Sequence, residues 1–238
     1  MPADNRDSYV RSAGEQGASS TVAALATESY KSIATDKKVS IDVRMSAAAS
    51  LVKLNQRAAA EAYVSVIKDK AVVDAHRTNA VTYMAKLDDS AASASCQEIA
   101  GDKALEVAFR IPAAIALRRS EPKAAAPILF GIAAEYGAAG SSTASALGVT
   151  YSTRITALDH LMPIDGSLAI KAIQSIVMHE ASESRCTGAL QKTAAIPKID
   201  VQAAATMLNS VATTPTVVAA VRLAAANLLT QLLQPKTA

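Results

Sequence analysis

The sequence predicts an all-α fold, an α-solenoid of about six stacked antiparallel helix pairs. Three observations carry that prediction. The first is composition: half of the 238 residues are hydrophobic, yet only 3% are aromatic and Trp is absent. Alanine supplies much of the apolar total, and it is both the best helix former and small enough to let helices approach closely. A core of many Ala, Leu, Val and Ile contacts suits stacked helices better than strands, which favour aromatic and β-branched residues. The second is punctuation: nine Gly and eight Pro are too few for a many-stranded fold. The third is an internal repeat, the sequence signature of a stacked architecture.

Three segments align without gaps: DKKVSIDVRMSAAASLVKL from Asp36, DKAVVDAHRTNAVTYMAKL from Asp69 and DKALEVAFRIPAAIALRRS from Asp102. Asp36, Asp69 and Asp102 recur at one constant interval, and Arg44, Arg77 and Arg110 recur at the same interval. Each Asp is followed by Lys, and each Arg by Ala three residues on and Leu or Met seven residues on. Weaker copies follow Arg154 and Arg222. Arg185 fits poorly, because Gly188 and Lys192 replace the expected Ala and Leu. The step from Arg110 to Arg154 is longer than the basic period by about three helical turns' worth of chain, and the excess falls in the Gly/Ser/Ala-rich stretch 137–148, which reads as a longer loop. Ala146 and Thr214 stand at the Asp position of the fourth and sixth copies.

The elements follow in order. The segment after each repeat Arg places apolar residues at helical spacing, as in Ala47, Ala48, Leu51 and Leu54. The Asp ahead of it is a candidate N-cap, which would accept from free amides of the first turn and complement the helix dipole. Between these helices the pattern predicts others at 58–68, 91–100, 123–136, 167–180 and 200–212. Pro112 predicts a kink or a late helix start in the third copy. The expected repeats span about 18–55, 57–88, 90–120, 122–162, 166–196 and 198–233, preceded by a polar tail at 1–17 and followed by a short tail at 234–238. Each pair has an apolar face that it cannot bury alone, so neighbouring pairs stack.

The run Asp36…Val43-Arg44…Ala47-Ala48…Leu51 resembles the second helix of a HEAT repeat, and the resemblance covers residues from about 18 to 233, strongly for the first three repeats and loosely for the rest. It implies a right-handed solenoid whose second helices line a concave surface. It also implies a ladder in which the repeated Asp and Arg hydrogen-bond between neighbouring repeats, here Asp36, Asp69 and Asp102 with Arg44, Arg77 and Arg110. Arg77→Ala is then expected to lower thermal stability.

Function is less legible. The net charge of +3 is too weak to argue for nucleic acid, which calls for a clustered basic footprint and stacking aromatics. Cys96 and Cys186 stand in no metal spacing and are expected as reduced, partly buried thiols. The polar start does not read as a signal peptide, and the longest uncharged run, 201–221, is interrupted by Asn209, Thr213, Thr214 and Pro215. A cytoplasmic protein is expected. Lys53, Lys86 and Arg119 each lie nine residues after a repeat Arg, and Lys37, Lys70 and Lys103 follow the repeat Asp. Stacking would set them in rows facing an acidic partner protein, phosphate groups or an anionic lipid surface; the alternative is ordinary solvated helix ends. Asn79, Tyr83, Thr156 and His160 could join the first row as a recognition patch, or be unremarkable half-buried positions.

Certain HEAT-like iron enzymes carry His-Glu pairs in several repeats. Here His179-Glu180 stands alone, too few ligands for a stable centre, and no cofactor is expected. The reading is therefore a non-catalytic interaction scaffold. The competing reading is a HEAT-like enzyme acting on DNA, of glycosylase type, or a protein resembling a bilin lyase.

Overall fold

The computed structural model describes residues 4–135, 149–196 and 200–233; of these, the side chains of 4–19, 89 and 233 are not described. Among the described residues the secondary structure is helical, with twelve α-helices and one 3-10 turn. In chain order the helices are α1 (Asp4–Thr35), α2 (Ile41–Leu54), α3 (Gln56–Lys68), α4 (Asp74–Met84), α5 (Asp89–Gly101), α6 (Val107–Ser120), α7 (Pro122–Ala134), α8 (Tyr151–Leu161), α9 (Gly166–His179), α10 (Glu183–Gln191), α11 (Val201–Thr213) and α12 (Ala219–Leu233). None of them is long and apolar enough to cross a membrane. The expected loop at 137–148 lies outside the described residues, as does the C-terminal tail. Residues 4–17 of the segment expected as a polar N-terminal tail belong to α1.

The chain divides into two compact units, Met1–Ser95 and Cys96–Ala238, with the boundary inside α5. In the first unit α1 packs on α2 and α3, and α3 also packs on α2 and α4. In the second, α7 packs on α6, α8 and α9; α9 packs on α8, α10 and α11; and α12 packs on α10 and α11. Both cores are built from the columns of the repeat. Ala47, Ala80, Ala113, Ala157 and Ala225, each three residues after an arginine, are buried, and so are Leu51, Met84, Leu117 and Leu161 four residues further on.

The arginines themselves are buried. Arg44, Arg77, Arg110 and Arg154 are 2–7% exposed, which demands partners, since an unpaired buried guanidinium costs several kcal/mol. Each donates Nε–H to a backbone carbonyl: Arg44 to Ala34 at 3.2 Å, Arg77 to Ile67 at 2.8 Å, Arg110 to Ala100 at 3.3 Å and Arg154 to Ala133 at 2.9 Å. Every acceptor is the penultimate residue of the helix before the arginine's own. The last carbonyls of a helix lack intrahelical donors and form its negative end. A cation placed there satisfies one of them and is held by the dipole.

For Arg44, Arg77 and Arg110 the other end of the guanidinium finds a carboxylate. Arg44 Nη1 donates to Asp69 Oδ2 at 2.9 Å, and Arg110 Nη1 to Glu135 Oε2 at 3.2 Å; both acids lie 25 residues after their arginine. Arg77 Nη1 donates to Asp74 within its own helix. Glu135 corrects the expectation that the fourth copy lacks its acid. It lies one full repeat interval after Asp102, and the inserted stretch separates it from Arg154, which moved the expected position to Ala146.

Contrary to the expectation from sequence, the repeat Asp residues are not N-caps of the helices that follow them. α2, α4 and α6 begin five residues later, after Ser40, Val73 and Glu106, with no side-chain cap. Each Asp instead follows the last residue of the preceding helix and accepts from the amide two residues on, that of Lys38, Ala71 or Ala104. The backbone turn is the same in all three: Val39, Val72 and Leu105 donate to the carbonyls of Asp36, Asp69 and Asp102. Val217 donates to Thr214 in the same way, so the turn survives without the carboxylate. Side-chain N-caps appear on other helices: Asn55 on α3, Thr150 on α8, Asp165 on α9 and Asp200 on α11. Pro112 lies inside a continuous α6 that starts three residues before its arginine, as α2 and α4 do, so no late start occurs.

The fifth copy is shifted by one residue. Cys186, not Arg185, occupies the buried position, with its thiol donating to the Val177 and Glu180 carbonyls, and buried Ala189 and Thr193 follow it at the core spacing. Arg185 lies at the surface over the Tyr151 ring, 5.3 Å from its centroid, and pairs with Glu180.

Two outcomes are expected. Arg154→Ala should cost about 3 kcal/mol or more in urea denaturation, the scale for disrupting a buried cation's network, while Arg185→Ala should stay within about 0.5 kcal/mol. Equal effects would contradict the assignment. Asp69 is held below the usual carboxylate range first by its hydrogen bond from Arg44, against the opposing effect of burial. A depressed carboxyl pKa stabilises the fold above the unfolded value, near 4, and that contribution is lost as pH falls through the folded value. Asp69→Asn should therefore destabilise the protein clearly at pH 7 and much less at pH 2.5, measured by urea melts.

Candidate functional site

The exposed side chains singled out from sequence fall in both units. In the first, Lys53 is in the last turn of α2 and Lys86 lies just beyond α4; both are exposed. Asn79 and Tyr83 occupy the outer side of α4. In the second unit Arg119 is exposed at the end of α6, beside half-buried Arg118. Thr156 and His160 are half-buried on α8, and the Thr156 hydroxyl donates to the Ser152 carbonyl. The sequence-predicted set is therefore carried as two groups, Lys53, Asn79, Tyr83 and Lys86 in one unit and Arg119, Thr156 and His160 in the other.

The structure brings Tyr83 and Lys86 together. Lys86 Nζ lies 6.0 Å from the Tyr83 ring centroid, at the outer range of a cation–π contact. Beneath Tyr83 lies Tyr63 of α3, with centroids 6.0 Å apart and planes tilted by 39°, within the favoured range for aromatic pairs. Tyr63 is buried, and burial pushes its hydroxyl above the ordinary tyrosine value. Apart from its spacing from Tyr30, nothing in the sequence pointed to this partner.

Lys53 lines a separate cleft. Ala26 and Tyr30 of α1 with Ala49, Ser50, Lys53 and Leu54 of α2 line this open cleft of about 560 Å³. A smaller hollow of about 390 Å³ lies over the α8–α9 turn and includes Asp165 and Asp200, whose carboxylates cap α9 and α11. Among the described residues no group of three His, Cys, Asp or Glu side chains is placed to hold a metal. His179 and Glu180 serve local contacts: the imidazole lies 2.8 Å from the Ser175 carbonyl, and the carboxylate accepts from the Ser182 amide and pairs with Arg185. Cys186 is buried, which raises its thiol pKa, so the thiolate needed for nucleophilic chemistry is disfavoured.

His160 is pushed below the ordinary histidine value, chiefly by burial, then by the Arg118 charge, with Asp159 opposing. Arg118 was not singled out from sequence, where it reads only as the neighbour of Arg119. No known family model matches the chain, and neither a curated protein nor a solved structure shows significant similarity to it.

The group in the first unit offers cations, a phenol ring and an amide, and the group in the second a cation, a hydroxyl and an imidazole, all side chains suited to recognising a surface. An NMR titration should place the His160 midpoint below about 6.5, the value of a free histidine, and Arg118→Ala should raise it toward that value. A midpoint at or above the free value would contradict the electrostatic assignment.

Proposed function

We propose that the chain is a non-catalytic protein-interaction scaffold of the cytoplasm, built as a HEAT-like right-handed solenoid whose concave face binds an acidic partner protein. The observation that carries this reading is an exposed cation near an aromatic ring in two successive copies: Lys86 lies over the Tyr83 ring, and Lys53, one repeat interval earlier, lines a cleft with Tyr30. Cations beside rings recognise carboxylates and aromatic side chains, and electrostatic complementarity gives specificity and association rate. Lys53, Lys86, Arg119, Asn79, Tyr83, Thr156 and His160 would supply the contacts. Buried arginines hold the helices that carry them, so recognition would use a preformed surface and lose little entropy on binding.

The test is an affinity capture from a lysate with wild-type chain and a Lys53→Glu, Lys86→Glu, Arg119→Glu triple variant. The variant should keep its helical circular dichroism and lose a protein partner that also dissociates at raised salt. Capture unaffected by the reversal would remove this face from consideration.

A further inference from the structure

Resting on the scaffold reading, we propose that the cleft between α1 and α2 is a pocket for a tyrosine side chain of the partner, presented beside an acidic residue. The argument comes from comparing the cleft with its own copy one repeat interval later. Ala26, Tyr30, Ser50, Lys53 and Leu54 correspond to Ala59, Tyr63, Tyr83, Lys86 and Leu87, and Ala49 corresponds to Thr82. Alanine, tyrosine, lysine and leucine are kept at four of these places, and the change that matters for the cleft is from Ser50 to Tyr83.

In the second copy the Tyr83 ring leans on Tyr63, and Lys86 reaches toward the outer ring. Tyr63 is 2% exposed and Leu87 6%. In the first copy no ring arises from Ser50, whose hydroxyl turns back to the Ser46 carbonyl. Tyr30 is left 37% exposed and Leu54 43%. The cleft of about 560 Å³ at this place is lined by Tyr30, Ser50, Lys53 and Leu54, with two alanines.

The protein thus shows, within one chain, the ring that this arrangement accepts. A tyrosine entering from outside would stack on Tyr30 as Tyr83 stacks on Tyr63, cover Leu54, and lie under Lys53. The Lys53 ammonium adds a preference for a carboxylate next to that tyrosine, because charge complementarity across an interface favours the matching partner. The shape requirement comes from the ring and the charge requirement from the lysine, so both should be separable by substitution.

The probe is a short acidic peptide with one central tyrosine, titrated against the full chain by isothermal calorimetry or NMR, alongside the same peptide with alanine. The tyrosine peptide should bind at least about tenfold more tightly, the scale of one aromatic pair with a cation–π contact. Ser50→Tyr should fill the cleft from within, as Tyr83 does, and weaken the tyrosine peptide by about tenfold or more while leaving the melting temperature equal or higher. Tyr30→Ala, at an exposed position, should weaken it similarly and serves if Ser50→Tyr fails to fold. Lys53→Ala should weaken the acidic tyrosine peptide more than a neutral tyrosine peptide.

Equal binding of tyrosine and alanine peptides, unchanged binding by both Ser50→Tyr and Tyr30→Ala, or no saturable binding at all overturns the pocket. The scaffold reading then stands or falls separately, on whether the charge-reversed triple variant still captures its partner.

Discussion

The contact on which both units depend is the buried guanidinium at the end of the preceding helix. Arginine stays protonated under all relevant conditions, so burying it at 2–7% exposure leaves no escape by proton loss. The charge must be met where it lies. The planar fork does this in two directions, with Nε on the penultimate carbonyl of one helix and, in Arg44 and Arg110, Nη1 on an acid 25 residues on. Lysine, a compact point charge without that fork, could not reproduce the geometry. The arrangement is not free of cost: Nη2 of Arg44 is buried without a hydrogen-bond partner among the described residues, a penalty of about 1–3 kcal/mol against the pair.

This fixes what the rest of the sequence can be. Once the arginine sets the start of its helix, alanine three residues on and a longer apolar residue seven on point into the core. The fifth copy shows the rule by its exception. Cys186 replaces the guanidinium with a weak thiol donor, the register shifts by one residue, and Thr193 stands buried where the other copies have Leu or Met. The displaced Arg185 is then available to lie over Tyr151 at the surface.

Much of the fold was legible because the helical period and the constant repeat interval reinforce each other. The helices expected at 58–68, 91–100, 167–180 and 200–212 were each found within two residues at either end. The acids were read less well. Asp36, Asp69 and Asp102 look like N-caps by type, but capping depends on distance from the helix start, and five residues is too far. Glu135 was missed because counting back from Arg154 crosses the inserted stretch, whereas counting forward from Asp102 does not. The candidate site was legible only as exposed cations and polar residues. The Tyr63–Tyr83 pair and the open cleft at Tyr30 depend on which ring fills which gap, and periodicity carries no such information.

The most direct test of this account is a double-mutant cycle on Arg110 and Glu135 by urea denaturation, using Arg110→Met, Glu135→Gln and both together. The pair is only partly buried on the Glu135 side, so a coupling of about 1–2 kcal/mol is expected, with the double variant less destabilised than the two single variants combined. Strict additivity would mean that the guanidinium and the acid do not stabilise one another, and that the arginine serves its own helix junction alone.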